Sequence, residues 1–523
     1  MGTSAEREFD ALVATATPSR SARPHFAVGS RLDDWWASCS ARTRRAIRIA
    51  GPTAVLVTAA ATRLTGIGHP DELVFDETYY VKDAWSLWNL GYSSTWPEGA
   101  DERFEAGETE IYTERGSFVV HPPLGKWLIA LGMAALGPEH SAGWRLATAI
   151  AGILMVALVM IVAKRLTGSL LLATIAGGLL AIEGNAIVMS RVGLLDGFLA
   201  LFALAGFACI VMDRERGSPR LWRPWLIAAG VAFGAASAVK WSGAWFLAAF
   251  GIWTVVTDIL ARRRRGDEAF VTRGLLVNGP LDFLHLVPAA IATHLATWAS
   301  WFATSGGYQR QWAADDANAW GGGLAWVPRS IQSWLHYMQV TYEYHVGESR
   351  PHDYESDAWM WPLLVRPTSM WYRASSAGDP GCASETCGAS ITGLANPLIW
   401  WAAVAAIGYL VVRVIRRREW QPAAILVAFA AGWVPWLLYP ERTIFHFYTI
   451  AFEPYLILAL AIAAGAALGA PLDERSRRVS GLWTVGAFLG LAVVLSAYFW
   501  PLWTGMTVDF GFLASHWWLP SWR

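Results

Sequence analysis

Apolar runs of about 18 to 22 residues recur from Ile49 to Trp503, and each is long enough to cross about 30 Å of hydrocarbon. Short polar stretches, many of them rich in arginine, separate these runs. The pattern predicts an all-α polytopic membrane protein with about eleven transmembrane helices. The predicted helices lie near residues 46–66, 145–163, 170–188, 193–212, 224–242, 244–260, 280–301, 396–413, 421–439, 446–468 and 480–503.

Basic clusters predict the orientation of these helices. From Arg42–Arg48 to Arg475–Arg478, the clusters fall on one side of the membrane under this topology. Because an excess of lysine and arginine marks the cytoplasmic side, we predict a cytoplasmic N-terminus and an extracytoplasmic C-terminus. The polar residues before the first apolar run do not have the pattern of a cleavable signal peptide.

This topology divides the chain into three parts. Residues 1–45 are predicted to be a disordered cytoplasmic tail, residues 46–503 a transmembrane catalytic domain, and residues 504–523 an extracytoplasmic C-terminal tail. The outer face then carries two long loops, 67–144 and 302–395.

The apolar segment 122–137 does not fit this topology as a crossing. It is short, it opens with Pro122 and Pro123, and counting it would invert the orientation of every later basic cluster. We therefore predict a re-entrant or interfacial helix within the first outer loop.

Composition agrees with a membrane protein. The 523 residues are 54% hydrophobic and 16% charged, against about 25% charged residues in soluble domains. The formal net charge is zero, so bulk electrostatics do not indicate a nucleic-acid partner. Cys382 and Cys387 lie five residues apart in a predicted outer loop, where a small disulfide ring and two free thiols are equally compatible with the sequence.

Ionisable residues gather at one level of the predicted topology. A charge within a membrane helix costs about 2.5–3.5 kcal/mol on insertion scales, so such residues are rarely incidental. A single one is compatible with a snorkelling charge or a helix-packing ion pair, but their shared level predicts a polar cavity that faces outward. The residues at or near this level are Asp76, Glu77, His121, Lys126, Arg145, Glu183, Arg191, Asp196, Lys240, Glu441 and Arg442.

The adjacent carboxylates Asp76 and Glu77 are the leading candidates for chemistry. They follow the apolar residues Val74 and Phe75, which indicates a half-buried site, although an acid pair at a helix N-terminus is the alternative. Sugar transfer from a phosphate-linked lipid needs a base for the acceptor hydroxyl and cations for the departing phosphate. One carboxylate suffices for inversion. In extended backbone the two side chains would point to opposite sides, which predicts distinct roles.

The string HPPLGK (121–126) allows two interpretations. His121 and Lys126 could lie at the rim of a lipid-phosphate site. Alternatively, the string is a helix entry in which Pro-Pro fixes the backbone and Lys126 snorkels to the surface.

Several strings occur in the order found in the protein O-mannosyltransferases, in their actinobacterial form. The chain resembles this family from about Gly66 to the end of the last helix. The matching strings are VFDETYYVKDAW (74–85), HPPLGKWLIALG (121–132), WRLATAIAG (144–152), SRVGLLDGFLALF (190–202), AVKWSGAWF (238–246), HDYESDAWMWPLLVRP (352–367) and FHFYTIAFEPYL (445–456). Two departures are Asp353, where the family has proline, and Phe445, at the first histidine of the last string.

The resemblance implies a GT-C glycosyltransferase fold. It also implies an enzyme that transfers mannose from polyprenyl-phosphate-mannose to Ser or Thr of exported proteins, with inversion, at the outer face of the cell membrane. Asp76 would be the base and Glu77 would position the acceptor. Arg145 and Lys240 would bind the donor phosphate, with His121 and Lys126 at the rim. Supporting roles would fall to Asp196, Arg191, His352 and Arg442.

Two other functions are also considered for this chain, together with its expected cofactors and partners. A GT-C transferase acting on a lipid or cell-wall polysaccharide shares this architecture, whereas a lipid-linked sugar transporter usually shows repeats and midplane charges. No soluble cofactor is implied, and arginine and lysine alone can discharge a lipid phosphate. The acidic groups Asp315–Asp316 and Asp353/Glu355/Asp357 are better explained as solvated loops than as metal ligands. Membrane lipid and, by family analogy, the protein-export machinery are expected partners.

Overall fold

Helices dominate the fold. The computed structural model describes residues 37–217, 221–469 and 473–523. Its α-helices are α1 Ala41–Leu64, α2 Glu77–Leu90, α3 Ala100–Glu105, α4 Leu124–Leu136, α5 Ser141–Thr167, α6 Leu170–Ala181, α7 Gly184–Val188, α8 Asp196–Glu215, α9 Pro224–Val239, α10 Gly243–Arg264, α11 Phe270–Arg273, α12 Gly279–Ala296, α13 Ala299–Ala303, α14 Arg329–Gly347, α15 Pro397–Arg417, α16 Trp420–Trp433, α17 Glu453–Leu468, α18 Arg475–Thr504 and α19 Phe510–Ala514.

Each of the eleven predicted transmembrane segments coincides with a helix or with two consecutive helices. Within the described residues, seven helical stretches are long and apolar enough to cross a membrane. They are α5, α8, α10, α11 to α12, α15, α16 with the turn that follows it, and α18. The chain is thus a multi-span membrane protein, while the number of eleven crossings and the sides of the two termini stay predictions.

Helix α1 begins five residues before the end of the predicted disordered tail. The Ser40 hydroxyl accepts a hydrogen bond from the Thr43 N–H at 3.0 Å, which caps the helix at this point. Residues 41–45 are therefore helical, and residues 1–36 of the predicted tail lie outside the described residues. Helix α1 is not among the seven apolar stretches.

The predicted short helix in loop 67–144 is present as α4, which packs against α2 and α5. A Cβ atom at Gly132 would lie 2.5 Å from the carbonyl oxygen of Gly143, so α4 and α5 can approach this closely only because glycine occupies position 132. The position of α4 relative to the membrane stays a prediction.

Two ion pairs connect α8 and α9 at opposite ends. Asp196 at the start of α8 pairs with Lys240, the residue after α9, at 2.8 Å. At the other end, Arg223 pairs with Asp213, and it also reaches Asp258 of α10 at 2.7 Å. These buried contacts fix the α8–α9 hairpin at both ends and hold Lys240 in place.

A small antiparallel sheet adds to the helical architecture that the sequence predicts. Strands β1 (Thr368–Ser376) and β2 (Thr386–Gly393) form a hairpin within loop 302–395, and β3 (Val508–Asp509) pairs with β2. A disulfide joins Cys382 to Cys387 near the hairpin turn. The sequence-based description of the fold as all-α is therefore incomplete.

The C-terminal segment 504–523 is folded rather than a free tail. It contributes β3 and α19, and the side chains of Leu513 and Trp522 are buried. The Trp522 indole N–H donates to the Leu364 carbonyl oxygen at 2.6 Å. The segment therefore belongs to the same structural unit as the hairpin.

The hairpin is anchored to the loop that carries Asp76 and Glu77. The Glu72 carboxylate accepts hydrogen bonds from the Trp371 indole N–H and from Arg373, the latter at 2.6 Å. Residues of β1 thereby fix the chain four residues before Asp76.

Candidate active site

A cavity of about 180 Å³ lies where five parts of the chain meet. These are His121 just before α4, the start of α8, the α9–α10 turn, the C-terminal half of α14, and segment 432–451. Its walls are largely aromatic, with Trp241, Trp245, Trp436 and Tyr448 among them. The charged side chains in the walls are Asp196, Lys240 and Arg442.

Lys240 is held at the cavity wall by two neighbours. Its ammonium group donates to both Asp196 oxygens, at 2.8 and 3.0 Å, and lies 4.5 Å from the centre of the Tyr448 ring. The ring face and the carboxylate both stabilise the positive charge. Lys240 therefore brings a fixed cation to the cavity, while its binding of the donor phosphate stays a prediction.

Arg442 supplies the second cation. Its Nε donates to the His345 carbonyl oxygen at 2.9 Å, and its guanidinium stacks over Trp436 at 5.4 Å. Its Nη1 is buried without a hydrogen-bond partner. A buried guanidinium N–H without a partner is costly, so this group is a ready donor for a bound anion.

Two neutral histidines stack beside Arg442, with ring centres 5.3 Å apart. Burial lowers the pKa of His345 to about 4 and lowers that of His121 well below its ordinary value. The His345 Nε2 lies 2.8 Å from the Val120 carbonyl oxygen, so it carries the proton and leaves Nδ1 to accept from Arg442 Nη2 at 3.2 Å. His121 lines the cavity, as predicted, but as a neutral ring.

Asp76 does not line this cavity itself; it lies immediately before the first residue of α2, close enough to Lys240 and Asp196 of the cavity wall for their charges to affect its pKa. The hydroxyl of Tyr80 donates to its Oδ2 at 3.4 Å. Burial raises the pKa of Asp76 to about 6; the charge of Lys240 opposes this shift and that of Asp196 adds to it. Asp76 is thus ionised at neutral pH and more basic than an ordinary aspartate, which suits a general base.

The residue before Asp76 has an unusual backbone conformation. Phe75 has φ of 53°, the left-handed region that a bulky side chain rarely adopts. Its ring makes edge contacts with His352, Phe445 and Phe447, with centres 5.7 to 6.0 Å apart. This aromatic packing holds the backbone that aims Asp76, and it gives His352 a place behind the base rather than in the cavity.

Glu77 and Arg145 form a buried ion pair. Arg145 Nε and Nη2 donate to the two Glu77 oxygens, each at 2.8 Å, and both side chains are fully buried. The same carboxylate accepts from the Gly193 N–H at 2.6 Å and the Val74 N–H at 2.8 Å. The guanidinium also donates to three backbone carbonyls, those of Ile67, Pro70 and Glu72.

This pairing corrects two sequence-based roles. Every nitrogen of the Arg145 guanidinium has a partner within the protein, and neither Arg145 nor Glu77 lines the cavity. The geometry gives Arg145 no free donor for a phosphate and Glu77 no free oxygen face for an acceptor. Instead, the pair fixes the loop that carries Asp76. Asp76 and Glu77 were expected in extended backbone, but α2 begins at Glu77. The two carboxylates still have separate partners, Tyr80 for Asp76 and Arg145 for Glu77.

Two further predicted residues make structural contacts. Lys126 is buried in α4, where it donates to the His121 carbonyl oxygen at 3.1 Å and lies 3.6 Å from Asp83. Arg191 donates to backbone carbonyls at the end of α1, including those of Thr65 at 2.7 Å and Gly66 at 3.0 Å. Lys126 supports the histidine that lines the cavity, and Arg191 caps α1.

Comparison with known proteins identifies the family. Residues 138–270 match the family model for dolichyl-phosphate-mannose-protein mannosyltransferase, and residues 330–522 match the model for the C-terminal four-transmembrane region of protein O-mannosyltransferase. The polyprenol-phosphate-mannose–protein mannosyltransferase of Mycolicibacterium smegmatis is 32% identical over 501 residues, which cover 90% of this chain and 92% of that protein. The chain belongs to the protein O-mannosyltransferase family.

Other relatives agree. The polyprenol-phosphate-mannose–protein mannosyltransferase of Mycobacterium tuberculosis is 32% identical over 487 residues, 88% of each chain. The solved Pmt1–Pmt2 protein O-mannosyltransferase complex of Saccharomyces cerevisiae, bound to the sugar donor, superposes with a TM-score of 0.70 at 16% identity, covering 91% of this chain and 92% of that one. The protein O-mannosyltransferase chain described here therefore has the GT-C fold.

Three residues at or near the site of this protein O-mannosyltransferase were not singled out from the sequence as site residues. His345 and Tyr448 line the cavity and Tyr80 contacts Asp76. Tyr80 follows Asp76 by four residues, a spacing that places both on one helix face once the helix start is known. Tyr448 lies within a string that matches the family, whereas no local pattern around His345 indicates its partners.

Acidic groups considered as metal ligands are not brought together. Within the described residues, no group of three or more His, Cys, Asp or Glu side chains is arranged to hold a metal ion. Metal independence of this family member stays a prediction.

Proposed function

We propose that this protein transfers mannose from polyprenyl-phosphate-mannose to Ser or Thr hydroxyls of proteins, with inversion at the sugar. The observation that carries the proposal is the cavity whose wall includes Lys240 and Arg442, with Asp76 close enough to Lys240 for that charge to lower its pKa. Such a site combines a base with a pair of cations, as transfer from a phosphate leaving group requires. The names of the mycobacterial relatives support this substrate pair.

In the proposed reaction, Asp76 accepts the proton of the acceptor hydroxyl as its oxygen attacks C1 of mannose. The bond between C1 and the phosphate oxygen breaks, and polyprenyl phosphate leaves with the bonding electrons. One carboxylate acts in this step, which gives inversion. The Tyr80 hydroxyl orients the Asp76 carboxylate through its hydrogen bond.

The departing phosphate gains negative charge, which Lys240 and Arg442 stabilise. Asp196 holds Lys240 in place without closing the cavity, and the neutral His345 accepts from Arg442 and so turns it toward the cavity. These groups are fixed by protein contacts before substrate binds, so little reorganisation is needed. The aromatic walls fit a sugar on a lipid carrier, since flat apolar faces with polar edges suit both parts.

The cellular setting is part of the proposal. The basic clusters favour a site at the extracytoplasmic face of the cell membrane. Acceptor proteins would then meet the site during or after export, in contact with the export machinery. The proposed reaction needs no divalent metal, because two cationic side chains already face the phosphate.

Arg442→Gln is expected to weaken donor use by about 10- to 100-fold, with the Michaelis constant for polyprenyl-phosphate-mannose rising more than that for the acceptor. The reason is the loss of a buried charge-assisted hydrogen bond to the phosphate, worth about 1.5–3 kcal/mol. Arg115→Gln, in an exposed arginine of loop 67–144 that does not line this cavity, is the control and should leave both constants unchanged. An unchanged donor constant in R442Q would remove Arg442 from the phosphate site.

The rate should depend on pH through Asp76. Because the pKa of Asp76 is about 6, the base is ionised above this pH and activity should fall as the pH drops through it. Lys240 lowers the pKa of Asp76, so Lys240→Met should raise that pKa. The acid limb of the pH–rate profile should then move to higher pH, and transfer should also be slower. Initial rates of both proteins between pH 5 and pH 8 test the shift. If the activity of both proteins falls at the same pH, the placement of Lys240 near the base is contradicted.

The decisive assay uses purified full-length protein in lipid nanodiscs, labelled polyprenyl-phosphate-mannose and a Ser/Thr-containing peptide. Labelled mannose on the peptide in the inverted anomeric configuration supports the proposal. Labelled mannose only on a lipid or polysaccharide acceptor would show the alternative transferase, and movement of intact donor across proteoliposomes without transfer would show a transporter.

A further inference from the structure

Strand β1 lies at the edge of the small sheet. The strand order is β1–β2–β3, so β2 has a neighbour on both sides and β1 has one on a single side. Strand β1 has nine residues, which is longer than the usual strand of about five or six. An edge of this kind offers backbone N–H and C=O groups to another extended chain.

Pairing within the hairpin decides which backbone groups of β1 face outward. The Ala377 N–H donates to the Glu385 carbonyl oxygen at 3.2 Å, which marks these two residues as a hydrogen-bonded pair. In an antiparallel ladder such pairs alternate with pairs that do not bond to each other. The register therefore directs the N–H and C=O groups of Tyr372, Ala374 and Ser376 away from β2.

Two of these three residues have open backbone groups. The Ser376 N–H donates to Asp379 Oδ2 at 2.8 Å, and the Ser376 C=O accepts from the Asp379 N–H at 3.0 Å, so the turn itself satisfies Ser376. Outside the hairpin, no described residue forms a backbone hydrogen bond with Tyr372 or Ala374, and both are exposed. We call residues 372–374 the open edge of β1.

The hairpin is held in its extended form by contacts at both ends of the open edge. Cys387 of β2 lies opposite Ser375 and is joined by the disulfide to Cys382 in the turn. On the other side, the Glu72 carboxylate binds two side chains of β1. A strand that is already ordered loses little conformational freedom when another chain pairs with it.

The open edge is connected to the catalytic base. Arg373 lies within the open edge, and its side chain donates to Glu72 at 2.6 Å. The Glu72 carbonyl oxygen accepts from Arg145 Nη2 at 2.8 Å, and Asp76 follows Glu72 by four residues. Four residues span at most about 14 Å, so an extended chain that pairs with β1 and continues beyond it can reach the base.

An extended polypeptide is the partner that this edge fits. Backbone N–H and C=O groups at the spacing of a strand match the main chain of a second strand, which they do not share with a lipid or a sugar. The one charged side chain of the open edge, Arg373, is already paired with Glu72. The proposed acceptor is a protein segment, which supplies such a main chain.

We propose that a segment of the acceptor protein adds to β1 as a further strand and thereby presents a nearby Ser or Thr hydroxyl to Asp76. The backbone groups of Tyr372 and Ala374 bond to the main chain of the acceptor. Because main-chain groups form these bonds, the side chains around the acceptor hydroxyl can vary. This inference rests on the proposed function and adds an acceptor-binding surface to it.

The first test uses peptides that are methylated at one backbone nitrogen. Each peptide has a single Thr, and the methyl group is moved in turn through about six residues on either side of it. With wild-type protein and labelled polyprenyl-phosphate-mannose, the Michaelis constant should rise about fivefold at two positions that are two residues apart, because each loses one hydrogen bond. Methylation between them should have no effect, since that N–H points away from β1. Exchanging Ala for Val at the same positions should change the constant far less.

A variant of β1 tests the same edge from the side of the protein. Ala374→Pro removes an outward N–H but no hydrogen bond to β2, and proline is tolerated at such a position of an edge strand. The Michaelis constant for the unmethylated peptide should rise about fivefold, while the donor constant and the unfolding temperature stay near those of wild type. Ala383→Pro, at an exposed alanine in the turn of the same hairpin, is the matched control and should leave the acceptor constant unchanged.

The outcomes separate this inference from the function on which it rests. Equal Michaelis constants for all methylated peptides would overturn the pairing with β1, whether or not A374P folds. A folded A374P protein that uses the peptide as well as wild type would also overturn it. So would a wild-type dimer that A374P converts to a monomer, because a second copy of the chain would then cover β1. Failure of wild type to mannosylate any unmethylated peptide would instead contradict the proposed function.

Discussion

Asp76→Asn is expected to lower the rate of mannose transfer by about 10³-fold, within the range that a general base contributes. Asparagine keeps the size of the side chain and can still accept from the Tyr80 hydroxyl, but it cannot take the proton of the acceptor. Donor binding should be retained, since Lys240 and Arg442 are unchanged. The measurement is single-turnover transfer from labelled donor, with donor affinity determined separately.

The loss of activity in D76N should not result from unfolding of the protein. The pKa of Asp76 in the folded protein is about 6, above its ordinary value of 3.8, so the fold favours the protonated form. Stability contributed by this group is present at low pH and is lost as the pH rises through about 6. A neutral asparagine avoids that loss, so the unfolding temperature at neutral pH should be equal or higher.

Glu102→Gln is a matched control for D76N. It removes one exposed carboxylate from the same loop, remote from the cavity, and should leave transfer unchanged. Transfer by D76N within tenfold of the wild-type rate would show that another group takes the proton. Loss of donor affinity in D76N would show instead that Asp76 acts through the arrangement of the cations.

Hydropathy predicts most of the helices correctly, because a membrane span must be both apolar and hydrogen-bonded within itself. Residues 145–163 and 193–212 illustrate this, since both coincide with long apolar helices, α5 and α8. The short helix α4 is also predictable, because Pro122 and Pro123 mark where it can begin.

The sheet and the folded C-terminus are harder to predict. Strand β2 contains two glycines, at 388 and 393, which weakens its pattern, although nearly all its residues are buried. Its burial comes from partners that are distant in sequence, such as Val508 of β3. Trp522 is likewise buried against Leu364, which no local pattern reveals.

The site is predictable as a set of residues at one level, but not as a set of contacts. Lys240, Asp196, His121 and Arg442 share that level and do line one cavity. Arg145 shares it too, yet its partner Glu77 lies 68 residues earlier, and only the fold shows that the two neutralise each other. A sequence reveals which charges are near the membrane surface, whereas pairing decides which of them remain available to a ligand.

Arg145→Gln is therefore expected to lose stability rather than donor affinity alone. Removing one partner of a buried ion pair leaves the other charge unpaired, at a cost of about 3–5 kcal/mol. Glu77→Gln should have a similar effect, and the double variant should be less destabilised than the sum of the two, because no buried charge is left without its partner. The measurement is the unfolding temperature of purified protein in one detergent at a fixed heating rate.

An exposed ion pair in the same loop provides the comparison. Arg103 and Glu108 pair with about half of each side chain exposed, so Arg103→Gln should barely change the unfolding temperature. The structure predicts that any R145Q protein that remains folded binds the donor nearly as well as wild type, because Arg442 and Lys240 still face the phosphate. An R145Q protein with normal stability but no donor affinity would reverse this assignment. Arg145 would then bind the phosphate directly, and its pairing with Glu77 would have to open when the donor enters.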